Sequence, residues 1–218
     1  MSQNLDLKAL ERKAFRSVHQ DGLWDIVIGG IVLSYSALAY STDSEAFPLL
    51  RFGLFLVGLC VFELIFWGGK KYVTIPRLGL VKFGPRRKRR MLTMTIVLGA
   101  IVLVQVVILV GSTLSWRNPG WAESLGLASS NPDNERLLVA FIGAMFVGPS
   151  MVMVAYFNEF MRGYYIAAIL SLAVFSLIWF GQPIYLVISA LIIMIPGVVL
   201  FVRFLHAYPL PPAEDSHD

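Results

Sequence analysis

The chain has 218 residues, of which 57% are hydrophobic and only 15% charged, and its mean hydropathy is +0.70. That apolar content exceeds what one water-soluble core of this length buries. It is gathered into runs that reach the roughly 18 residues marking a helix that crosses hydrocarbon. The net charge of +4 comes from basic residues placed beside those runs, which argues against nucleic acid as the partner. A single cysteine, Cys60, excludes an intrachain disulfide and any zinc cluster of the cysteine type.

In chain order, residues 1–22 read as a cytoplasmic leader. Leu7, Leu10, Ala14 and Val18 recur at helical spacing, and Lys8, Arg12, Lys13 and Arg16 occupy the remaining surface, as in a short basic amphipathic helix. Ala37-Leu38-Ala39 has the small-x-small form of a signal cleavage site. The segment before it carries Asp6, Glu11 and Asp21, however, and the apolar stretch itself contains Asp25, so the first span is expected to stay in the mature chain.

Six spans are expected at residues 23–40, 47–67, 91–114, 137–157, 164–180 and 184–205, long enough at about 1.5 Å per residue to cross a hydrocarbon layer of about 30 Å. The fold class is thus an all-α integral membrane protein, a six-transmembrane-helix bundle occupying 23–205. It includes a basic cytoplasmic loop at 68–90 and is followed by a tail at 206–218. Tyr72-Val73-Thr74-Ile75 and Leu80-Val81-Lys82-Phe83 flank a Pro-Arg-Leu-Gly turn, so that loop is expected to form a short cytoplasmic β-ribbon between the second and third helices.

Orientation follows from the basic residues. With the amino terminus inside, fifteen of the eighteen Lys and Arg lie on cytoplasmic segments, and only Arg51, Arg117 and Arg136 lie outside. Cytoplasmic loops retain Lys and Arg, so both termini are expected in the cytoplasm, and the size and pattern suit the plasma membrane of a prokaryote.

Two features carry the functional expectation. Lys70, Lys71, Arg77, Lys82, Arg86, Arg87, Lys88, Arg89 and Arg90 form a dense cationic segment beside membrane spans, a composition that attracts anionic headgroups at on the order of 1 kcal/mol per residue. Asp25 and Glu63 are acids inside the first and second spans. Ionised carboxylates are costly in lipid and normally face protein, water or a cation, so these two are expected to pair with the basic segment and hold it against the bundle. Pro149 and Pro196, each preceded or followed by a glycine, mark places where the fourth and sixth spans can kink. His19, His206 and His217 form no metal-ligand pair, there is no phosphate-cradling glycine motif, and no catalytic residue or cofactor is expected.

The strings Asp21-Gly22-Leu23-Trp24-Asp25 and Tyr72-Val73-Thr74-Ile75-Pro76-Arg77-Leu78-Gly79-Leu80-Val81-Lys82-Phe83 resemble a pattern in prokaryotic multi-pass membrane proteins to which no activity is attached. The resemblance covers roughly the first 90 residues and implies no site residues. The function expected from the residues is binding of anionic lipid, or of a protein partner or second copy, through the basic cytoplasmic face. A small transporter or channel using the inner-leaflet acids is the alternative, and a lipid-modifying membrane enzyme a further one.

Overall fold

The computed structural model describes residues 20–40, 48–78, 85–117 and 132–209. Every described element is helical: α1 Leu23–Ala39, α2 Pro48–Gly68, a π-helical stretch Gly69–Thr74, α3 Ile75–Leu78, α4 Pro85–Arg117, α5 Pro132–Phe157, α6 Arg162–Phe180 and α7 Ile184–Ala207. The leader helix expected before residue 20 lies outside the described residues, as does most of the tail after residue 209.

Among the described residues five helices are long and apolar enough to cross a membrane, namely Leu49–Arg77, Arg89–Val107, Arg136–Phe157, Arg162–Phe180 and Ile184–Ala207. The expected count of six is met by five, because the stretch expected at 23–40 gives a shorter apolar helix. The first apolar stretch yields the 17-residue α1, about 25 Å long. Its start is fixed by Gly22, whose φ of 77° lies in the left-handed region, and its end by Tyr40, where the backbone turns extended.

The β-ribbon is also corrected, since no strand occurs among the described residues. Tyr72, Val73, Thr74 and Ile75, expected as its first strand, continue α2 through a π turn into α3. The expected second strand, Leu80–Phe83, lies outside the described residues. A physical reason is at hand in Pro76. Inside an α-helix its ring clashes with the carbonyl four residues back, and the wider π turn just before it makes room, so the helix need not break. The basic run 86–90 likewise falls within α4 rather than in a loop.

The chain divides into two compact units, Met1–Phe83 with Leu186–Asp218, and Gly84–Tyr185. In the first, α1 is held between α2 and α7. Toward α2, Gly30 lies under the ring of Phe62 and Gly58 under Ser34, while Trp24 meets Phe66 edge-on at 4.8 Å and Tyr35 meets Phe55 at 4.8 Å. Toward α7, Gly29 faces Met194 and the Ala190 carbonyl. Small residues on both faces of α1 let its backbone approach each neighbour, which is how membrane helices gain van der Waals contact without a hydrophobic drive. The Ser34 and Ser36 hydroxyls donate to the Gly30 and Leu33 carbonyls of their own helix at 2.8 and 2.6 Å, so their burial leaves no donor unsatisfied.

In the second unit, α5 and α6 form a tight hairpin. Gly148 admits Ser171, whose hydroxyl donates to the Ala144 carbonyl at 2.8 Å, and Gly143 admits Val174 and Ile178. Pro149 sits inside α5 beside this contact. Helix α4 packs on α5, where the Asn158 amide meets the Met94 sulfur at 3.6 Å.

Candidate functional site

The two strings singled out in the sequence meet in space. Asp21, fully buried, accepts from the Lys70 ammonium at 2.6 Å, the Thr74 hydroxyl at 2.7 Å and the Leu23 backbone N–H at 3.2 Å. One carboxylate thereby ties the first turn of α1 to the π-helical end of α2. It also satisfies an N–H that the helix start leaves open, from the position just before the N-cap Gly22. Lys70 and Thr74 are four residues apart, which puts both on the face turned to Asp21.

The other residues of the first string complete the joint. Gly22, in the left-handed conformation, presses against the Gly197 carbonyl of α7, where any Cβ would collide with backbone. Leu23 fills the space over Gly69, Trp24 packs on Phe66, and the fully buried Asp25 turns its Cβ toward Gly197, next to Pro196. Arg77, two residues beyond Ile75, donates from Nε to the Tyr208 carbonyl at 2.8 Å and from Nη1 to the Val73 carbonyl at 3.2 Å. The second string therefore also fastens the end of α7, whose last carbonyls lack helical partners.

In the second unit a separate cationic latch forms. Arg90 donates to the Glu159 carboxylate at 2.9 Å and to the Tyr156 carbonyl at 3.0 Å, with its guanidinium over the rings of Tyr156 and Phe157. Glu159 ends α5 with a φ of 52°. The Phe160 N–H bonds back to the Ala155 carbonyl at 2.9 Å and the Glu159 N–H to Tyr156 at 3.3 Å, the paired bonds of a left-handed helix cap.

The structure accordingly sorts the cationic segment. Lys70, Arg77 and Arg90 are occupied by internal partners, while Lys71 is exposed with its ammonium 5.3 Å from the Tyr72 ring, and Arg89 is exposed. Lys82 lies outside the described residues, and Arg86, Arg87 and Lys88 belong to α4 by their backbone. Of the two acids expected to hold this segment, Asp25 is sealed against α7, and Glu63 is exposed on α2. Lys70 pairs with Asp21. The signal that marks Asp21 in the sequence is its place just ahead of an apolar run, the position of a helix-starting acid. Glu159 carried no comparable signal, because non-glycine residues rarely adopt its backbone conformation.

Among the described residues no three His, Cys, Asp or Glu side chains gather to hold a metal ion. The clefts of the second unit are apolar. One of about 590 Å³ runs along a single face of α5 from Asn134 to Phe146, and another of about 320 Å³ between α4 and α5 carries Gln105 and Ser150 as its polar lining. No family model matches this chain, and no curated protein or solved structure is significantly similar to it.

Proposed function

We propose that this is a six-span protein of a prokaryotic plasma membrane that binds anionic phospholipid through a cationic cytoplasmic face. In this reading α1 is the sixth crossing. Its 17 residues fall short of the hydrocarbon thickness by a few ångströms, a mismatch that its burial between α2 and α7 lets protein rather than lipid absorb. Both termini are then cytoplasmic.

The observation that carries the reading is the division of labour within the cationic segment. Lys70, Arg77 and Arg90 hold the fold, whereas Lys71, in the π-helical stretch after α2, and Arg89, in the first turns of α4, stand exposed. Arg86, Arg87 and Lys88 extend the same helical end. The apolar character of the clefts and the sealing of Asp25 favour a binding face over a polar pathway through the bundle.

The test replaces Lys71, Arg86, Arg87, Lys88 and Arg89 with Gln and measures the anionic-to-zwitterionic ratio of phospholipid retained on the purified protein. At about 1 kcal/mol per charge, the five changes together should reduce anionic enrichment by well over tenfold. An unchanged ratio in a folded variant rejects the proposal.

A further inference from the structure

Helix α2 has two faces of opposite character. Phe55, Gly58, Phe62 and Phe66 turn inward and meet α1, as does Gly69 just past the helix end. On the opposite side, steps of three, four and seven residues align Gly53, Leu56, Cys60, Glu63, Leu64 and Trp67. Leu56 is 43%, Leu64 72% and Trp67 69% exposed, and Cys60 and Glu63 are exposed beside them. A Cβ on Gly53 would meet nothing within 4 Å.

Glu63 is out of keeping with this surface. It lies inside the apolar span Leu49–Arg77, seven residues before Lys70 and thus about 10 Å deeper along the helix. Acyl chains offer a carboxyl group no hydrogen-bond partner, so acids at such depth are found against protein, water or a cation. Arg51, the cation toward the other end of α2, is twelve residues away, about 18 Å, beyond reach.

A second copy of the chain meets the requirement. The lopsided distribution of Lys and Arg gives every copy the same orientation in the membrane, so two α2 helices in contact run parallel and bring like residues together. Glu63 then stands opposite Glu63, and each carboxyl group gains a hydrogen-bonding partner across the contact. Gly53 and Cys60, small and one heptad apart, let the backbones approach on the same stripe.

We infer that α2 forms a parallel homodimer interface through the Gly53–Cys60–Trp67 stripe, with the two Glu63 carboxyl groups hydrogen-bonded across it. Cys60, the single cysteine of the chain, lies at the centre of this interface and reports on it directly.

The experiment is oxidative cross-linking of the full chain in native membranes with a copper–phenanthroline oxidant. A disulfide needs Cα atoms within about 7 Å, so the wild-type chain should give a reducible dimer, and Cys60→Ser should abolish it. In the Cys60→Ser background, Val57→Cys and Leu64→Cys should restore the dimer. Leu54→Cys and Ile65→Cys, exposed but on other sides of the helix, should not. Glu63→Gln, which keeps a hydrogen-bonding pair, should dimerise as before, and Glu63→Leu should weaken association by about threefold to twentyfold. Absence of cross-linking at 57, 60 and 64 alike, equal cross-linking at 54 and 65, or indifference to Glu63→Leu each overturns the inference.

Discussion

Removing the Asp21 carboxylate tests the joint on which the first unit turns. In Asp21→Ala the Lys70 ammonium loses its counter-charge, and the Leu23 N–H loses its acceptor. Breaking a buried ion pair from one side costs about 3–5 kcal/mol. The Lys70 side chain retains 14% exposure and can turn partly toward solvent, so the lower end, about 3 kcal/mol, applies. Lys70→Met should cost more, about 4 kcal/mol, because it strands a carboxylate whose side chain is 0% exposed. Asp21→Asn keeps one oxygen for the Leu23 N–H and presents its amide N–H to the Thr74 hydroxyl, which then accepts instead of donating, and should cost about 2 kcal/mol. The double variant Asp21→Asn with Lys70→Met removes both charges, keeps those hydrogen bonds, and should lie within about 2 kcal/mol of wild type. Equilibrium unfolding in mixed micelles of rising SDS fraction gives all four stabilities. Additive losses, with the double variant as unstable as the sum of the singles, would refute a coupled ion pair at this joint.

The glycine contacts give a second set of outcomes. Gly22→Ala forces a side chain into a left-handed conformation and against the Gly197 carbonyl, and should cost more than 2 kcal/mol in the same assay, whereas Gly99→Ala, with nothing within 4 Å, should be neutral or slightly stabilising. At Glu159, Ala removes the pair with Arg90 but keeps the backbone at a φ of 52°, while Gly removes the pair and relaxes the backbone; thermal melting should therefore place Glu159→Gly above Glu159→Ala by about 1 kcal/mol. Arg77→Ala frees the Tyr208 carbonyl, and hydrogen exchange should show faster opening of the last turn of α7 with a global loss of only about 1 kcal/mol.

Reading along the chain is enough to mark a membrane protein and to locate nearly every helix, because runs of apolar residues long enough to span hydrocarbon are a local property. It also marked the two strings that matter, since an acid before an apolar run and a dense group of cations after one stand out in one dimension. What it missed is what depends on neighbours in space. Alternation at Tyr72–Ile75 suggested a strand, yet those residues follow α2 without a break, and a π turn before Pro76 lets the helix continue with all its backbone bonds local. Asp25 and Glu63 drew attention as acids within apolar runs, but only the packing of α1 against α2 and α7 brings Asp21 to Lys70 and Thr74, seals Asp25 against Gly197 and leaves Glu63 outside. A carboxylate's partner is chosen by which helices meet and at what register, and pairing across 49 and 53 residues of chain leaves no periodic trace for a sequence to show.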